Sequence, residues 1–293
     1  MTIIAILLAF ALCHFVRELS QVRKHQWLAG WIRLANDVFA KLPGWSNLTG
    51  FLIILFLPLV ALGLIIQLVF TALGYLGIFL LATAVLVYTF GLRDIDTQVA
   101  DIIRTTDEDN QEAALCELLR GDVPDDLETC RAKMVEAVFS ESLHRWFGVI
   151  FWFAVLGIVG AFLYRMVDWL ACEKSSLTSA QKQLIIRTRQ VLDWPAAQLM
   201  TLSLAIATDF DSVFIAWKRY HREQGHGLFE GNNGFLLASA RQIVLSGHAA
   251  QDGYADQLSG PLATLKQSMD LVWRVLGVWM TTLALLLLID VIT

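Results

Sequence analysis

Charge is what this sequence is shortest of. No Asp, Glu, Lys or Arg falls between Leu42 and Leu92, a run of 51 positions. Across all 293 residues 17 % are charged and 56 % hydrophobic, with a mean hydropathy of +0.58. Soluble domains average about 25 % charged and about 45–50 % apolar residues, so most water-soluble classes are excluded. A basic excess is also missing: net charge is −5, which argues against a nucleic-acid partner. Cysteine is scarce, and Cys13, Cys116, Cys130 and Cys172 have no CxxC or zinc spacing. Free thiols in a reducing compartment are expected rather than a Cys116–Cys130 disulfide. No basic residue precedes Cys13, and Leu12 before it is not small; neither a lipoprotein signal nor a cleaved leader is expected. GxSxG, HExxH and kinase signatures are absent as well.

What is present is apolar sequence in long blocks. The uncharged run exceeds one bilayer crossing, which takes about 20 residues. It suits two spans, Gly50–Phe70 and Ala72–Phe90, turning within Gln67–Gly77. A third span is expected at Trp146–Tyr164, with Arg165 snorkelling at its end. Its Gly157 and Ala161 form a small-xxx-small pair suited to close helix approach. A fourth is expected at Leu271–Ile289, and Trp45, Tyr88, Trp273 and Trp279 read as interfacial anchors. Thr2–Phe15 and Pro195–Ala207 are shorter, and segments of that size are more often interfacial, re-entrant or buried. If both cross, Lys and Arg divide 16 to 5. The positive-inside tendency then puts residues 16–47, 91–145 and 208–270 in the cytoplasm and 165–194 outside.

The polar segments carry helical periodicity. In 16–40, Val16, Leu19, Trp27, Trp31, Leu34 and Val38 alternate with Arg17, Arg23, Lys24 and Arg33. That pattern fits an amphipathic helix on the membrane surface or one packed on the protein's own loops. Residues 93–145 hold 14 of the 27 acidic residues, without EF-hand spacing, so a solvated face is expected. Helical patterns run through Ile95, Val99 and Ile102, then from Asp109 to a stop at Gly121. A third runs from Asp125-Asp126 through Met134 and Val138 to Trp146. Glu136, Ser140 and His144 share a helix face there, beside an ordinary Glu141–Arg145 pair. That face could bind a ligand or move protons, or simply be solvated. In 208–270 the stretch Gly225-His226-Gly227-Leu228-Phe229-Glu230-Gly231-Asn232-Asn233-Gly234 could present backbone N–H groups to an anion. It lacks a P-loop's Lys-Ser/Thr ending, and a plain flexible loop is the favoured reading on composition. His221 and His226 lie five apart and complete no metal set.

Two longer stretches carry a family resemblance. They are Arg145-Trp146-Phe147-Gly148-Val149-Ile150-Phe151-Trp152 and Leu156-Gly157-Ile158-Val159-Gly160-Ala161-Phe162-Leu163-Tyr164-Arg165. Together they resemble the membrane signature of the AmpE proteins, and Val191-Leu192-Asp193-Trp194 and the Arg274–Ile292 span fit the same family. Ile158 stands where that family usually has proline, and Gln198 where arginine is common. The resemblance implies a bacterial inner-membrane protein linked to an AmpD-type amidase of peptidoglycan recycling and to β-lactamase induction. It also implies distant kinship with the CobD/CbiB synthases, which use ATP to join an amine to a corrinoid acid. Glu136 matches the first acidic position of their E-x-x-x-E-N-x-x-D element, but Ser140, Glu141 and His144 occupy the later ones. Asn232-Asn233-Gly234-Phe235 is similar to their Asn-Ala-Gly-Trp, with Glu230-Gly231 in place of Ser-Pro. Their Pro-Ala-Arg-Leu appears as Ala196-Ala197-Gln198-Leu199. Losing that arginine removes a fork suited to phosphate, and losing acids weakens a Mg²⁺-nucleotide site.

The expectation is therefore an all-α, polytopic integral membrane helical bundle with helical cytoplasmic loops, one domain over residues 1–293. Its function would be non-catalytic binding of an unknown small ligand or partner, without cofactor or metal. A corrinoid-type amide synthase is the alternative. The expected ligand-binding residues are Glu136, His144, Tyr164, Arg165, Asp193, Asn232 and Gly234. The expected partners are the lipid bilayer and an AmpD-type amidase, with no nucleic acid.

Overall fold

The structure is a computed structural model that describes residues 2–15, 26–39, 41, 44–90, 95–172, 177–224, 233–245 and 261–292. Among these there is no strand. The helices are α1 (Thr2–Phe15), α2 (Gln26–Phe39), α3 (Leu48–Thr89), α4 (Ile95–Arg104), α5 (Glu108–Leu119) and α6 (Leu127–Ser142). After a π-turn at Leu143–Phe147 come α7 (Gly148–Cys172), α8 (Ser179–Ala207), α9 (Phe210–Gln224), α10 (Gly234–Leu245) and α11 (Pro261–Ile292). Three helical runs, Leu48–Thr89, Leu127–Cys172 and Leu262–Leu286, are long and apolar enough to cross a membrane. The chain forms two compact units, Met1–Leu92 with Gly148–Asp193 and Arg93–Phe147 with Trp194–Thr293.

The first unit is built around two reversals. Gly74 has φ 61° and ψ −147°, and Gly157 has φ 63° and ψ −147°. L side chains avoid that region, whereas glycine enters it freely. At each point the helix doubles back on itself. A Cβ on Gly77 would lie 3.2 Å from the Val69 carbonyl, and one on Gly160 only 2.2 Å from the Trp152 carbonyl. In a straight helix residues eight apart are separated by about 12 Å. The first reversal falls inside the expected turn Gln67–Gly77. The second changes the expected Trp146–Tyr164 rod: it holds two antiparallel arms, 148–156 and 158–172. Because the chain returns at Gly157, Gly148 and Tyr164 lie at the same end of the hairpin. Ile158 opens the returning arm, the first-turn position where proline is also well suited. The close approach is made by Gly160 to its own hairpin partner, rather than by Gly157 to another helix.

Around these hairpins the surface is apolar outside and packed inside. Leu73, Tyr75 and Leu76 at the first tip are 63, 76 and 68 % exposed, and Val155 and Leu156 at the second are also exposed. Exposed apolar side chains gathered in this way suit a surface that meets lipid or a partner. Helix α2 buries Leu28, Ile32 and Ala35 in a core with Ile54, Leu55, Met166 and Leu170, and the Trp31 indole donates to the Ile54 carbonyl at 3.1 Å. It is thus packed on the protein itself, with Leu34 and Val38 left exposed; Val16, Leu19, Arg17, Arg23 and Lys24 lie outside the described residues. Trp45 and Tyr88 sit in internal contacts: Trp45 donates to Asn36 at 3.0 Å and Trp27 donates to the Tyr88 hydroxyl at 2.6 Å. Helix α8 opens on a capping box, in which Gln181 N–H donates to the Thr178 hydroxyl and Thr178 N–H to the Gln181 amide oxygen. Gln181 also donates to the Trp45 carbonyl at 2.6 Å. A Cβ on Gly50 would meet both of these groups within 2.3 Å. Pro195 lies inside α8, so Pro195–Ala207 continues one long helix.

The second unit wraps α6. Its Met134, Val135, Val138 and Phe139 are buried, as are Leu265, Met269, Val272 and Val275 of α11 and Phe235, Leu236 and Ala240 of α10. Asp126 caps α6, accepting from the Thr129 N–H at 2.8 Å and the Thr129 hydroxyl at 2.6 Å; these bonds hold its carboxyl below the ordinary carboxylate range. Helix α5 begins earlier than the expected Asp109, and ends at Arg120 in the left-handed region, one residue before the expected Gly121. That strained arginine reaches Glu141 at 2.6 Å. Trp273 donates to Asp96 at 3.0 Å and packs on Trp146, while Trp279 meets Phe147 edge-on at 5.0 Å. Both α11 tryptophans therefore pack on the protein's own side chains. Cys116, Cys130 and Cys172 are free thiols.

Gly160→Val should drive a side chain into the Trp152 carbonyl and cost about 1–3 kcal/mol, the usual penalty of overpacking. Gly277→Ala, where nothing lies within 4 Å, should be neutral or slightly stabilising. Thermal unfolding in detergent reads the difference, and equal midpoints for the two variants would contradict the hairpin.

Candidate functional site

The residues expected to bind fall into two groups. In the first unit, Tyr164, Arg165 and Asp193 belong to one buried polar cluster. Tyr164 lies on the returning arm of α7, and its ring rests on Gly148: a Cβ there would come within 2.1 Å of it. The phenol donates to Asp193 Oδ1 of α8 at 2.7 Å. One helical turn along, Arg165 pairs with Asp168 at 3.0 Å, and Asp168 also meets Arg189 of α8 at 3.5 Å. Arg189 Nε lies 4.0 Å from Asp193 Oδ2. Tyr164 and Asp193 are each 1 % exposed, Arg165 4 % and Asp168 7 %.

Two guanidinium groups and two carboxylates balance in charge, and that balance is what permits their burial. An aromatic wall closes one side. The Arg165 guanidinium lies 5.7 Å over Trp169, which meets Tyr88 and Trp27 edge-on. The Trp152 indole donates to the Leu192 carbonyl at 2.9 Å, next to the helix position where Pro195 brings no N–H. Because its charges are matched internally, the cluster serves first to clamp α7 to α8. Asp168 and Arg189 are members that the sequence reading missed. Their signal was the spacing, Arg165/Asp168 at i,i+3 and Arg189/Asp193 at i,i+4.

In the second unit, Glu136 and Gly234 border one groove between α9 and α10. Its lining includes Arg219, Tyr220, Glu223, Arg241 and Gln242. Glu136 holds Arg241 at 3.0 Å. A Cβ on Gly234 would come within 2.2 Å of the Tyr220 hydroxyl, so glycine there lets the phenol lie flat at the start of α10. The groove is polar and open, with two arginines and an amide that can meet carboxylate or phosphate oxygens. His144 stands apart in the π-turn, beside Arg145, which donates to Glu141 at 2.8 Å and to Gln98 at 3.2 Å. Asn232 lies outside the described residues. Among the described residues no three His, Cys, Asp or Glu side chains converge as a metal set. Compared with protein families, curated proteins and solved structures, the chain gives no match.

Asp168→Asn should destabilise the protein by roughly 3 kcal/mol, since it takes the shared anion from the buried Arg165 and the partly buried Arg189. Adding Arg189→Gln should cost less than the sum of the single losses. Additive losses in detergent unfolding would show that the carboxylate is not shared.

Proposed function

We propose that this chain is a multi-pass protein of the bacterial inner membrane that senses or relays cell-wall status without catalysing a reaction, in the manner of the AmpE proteins it resembles. The observation that carries the reading is the α9–α10 groove. It gathers Glu136 and the end of the Gly225–Gly234 stretch, two of the features similar to the related synthases, beside two arginines. Cell-wall fragments are sugar–peptides rich in carboxylates, and paired guanidinium groups with a phenol and an amide suit them. The exposed apolar exteriors of α3 and the end of α11 supply the lipid-facing surface. The buried cluster at Tyr164, Arg165, Asp168, Arg189 and Asp193 supplies a rigid frame. An AmpD-type amidase is the functional partner in this reading.

Glu136→Ala combined with Asn232→Ala should abolish the chain's effect on β-lactamase induction while membrane abundance stays unchanged. Immunoblotting of membranes alongside an induction assay reads both. Normal induction in the double variant would defeat the proposal.

A further inference from the structure

Helix α9 has a second flank, and it is unlike the polar one. Phe210, Phe214 and Trp217 stack in sequence along it, with ring centroids 6.0 Å apart at each step, and His221 lies 4.3 Å beyond Trp217. This column forms one wall of a concave apolar groove of about 200 Å³. The other wall is the last part of α8, through Gln198, Leu202 and Ala205. Around it, Leu199, Leu202, Ile206, Phe210, Phe214 and Ile215 are all 43 % exposed or more. Water does not favour such a surface; hydrocarbon does.

The charge next to the column is basic. Lys218 Nζ lies 5.7 Å over the Phe214 ring, and Arg222 follows it one turn later. Of the acidic groups on α9, Asp211 is in the first turn at the opposite end, and Glu223 lines the polar groove with Arg219 and Arg241. An aromatic column flanked by lysine and arginine is the pattern of a helix lying at an anionic membrane surface. Here the apolar flank is also a groove, which can take one chain rather than merely rest on many.

We propose that the α8–α9 groove is a binding site for one anionic phospholipid, with an acyl chain along Leu202, Ala205, Phe210 and Phe214 and the phosphate at Lys218 and Arg222. The Gln198 amide, which has no hydrogen-bond partner among the described residues, faces the same groove and can meet an ester oxygen. The site is separate from the polar groove on the other flank of α9 and does not depend on what that groove binds.

Native mass spectrometry of the full chain in mild detergent tests this, using phosphatidylglycerol and phosphatidylethanolamine with identical acyl chains. One phosphatidylglycerol should be retained in preference, by about fivefold for each of the two cations beside its headgroup. Lys218→Gln with Arg222→Gln should abolish the preference, since both side chains are on the surface and folding does not rest on them. Leu202→Trp, which fills the groove, should remove both lipids. Equal retention of the two lipids by the wild type, or an unchanged ratio in the Lys218/Arg222 variant, would overturn the proposal and mark the lipid as annular. If Leu202→Trp does not fold, the surface variant still decides the matter.

Discussion

In a helix surrounded by lipid, every backbone N–H and C=O must find a partner within the protein. A reversal breaks that ladder, so it survives only where another piece of chain lies close by. Gly74 and Gly157 share one geometry: each turns the helix through a positive φ and returns it along its own first arm. At the second reversal the close approach needs Gly160 against the Trp152 carbonyl and Gly148 under the Tyr164 ring. The buried charge cluster of the first unit follows from it. The returning arm brings Tyr164, Arg165 and Asp168 to the face that meets α8, where Arg189 and Asp193 complete the charge balance. With a straight rod the Tyr164 phenol would lie about 24 Å from Gly148, and the Gly148 contact would not form.

Much of the fold was legible because apolar runs and helical periods are composition-level signals. The uncharged run from Leu42 to Leu92 and the turn near its middle, the helices at Ile95–Arg104 and Leu127–Ser142, and the closing helix through Leu271 could all be read directly. The second hairpin was not, because Leu156-Gly157-Ile158-Val159-Gly160 is as apolar as a crossing helix. Hydropathy does not register backbone direction. What separates the two is the pairing of small residues symmetrically about the turn, Gly148 against Tyr164 and Gly160 against Trp152. The amphipathic α2 was ambiguous for a similar reason. Trp27, Leu34 and Val38 mark one apolar face, Leu28, Ile32 and Ala35 an adjoining one, and only the second is buried.

The site was legible in parts. Tyr164, Arg165 and Asp193 lie together, but their charges are met by Asp168 and Arg189, so the cluster holds helices more than it offers a cavity. Glu136 and Gly234 border an open polar groove whose arginines, Arg219 and Arg241, lie on helices far apart in sequence from Glu136. Pairings of that kind leave no local signature. Helix α9 joins the two themes, turning an aromatic, basic flank outward and a polar flank toward α10.

The reversal at Gly157 decides where every side chain of α7 lies. Cysteines introduced as Gly148→Cys with Tyr164→Cys, in a chain whose native cysteines are replaced by serine or alanine, place one thiol on each arm of α7. Removing the tyrosine ring also makes room for the new side chain at 148. A short bifunctional thiol reagent should link the two within one molecule at high yield in native membranes. A chain that stays unlinked, with both thiols shown to be reactive toward a monofunctional reagent, would mean that α7 is straight there and that the hairpin does not exist.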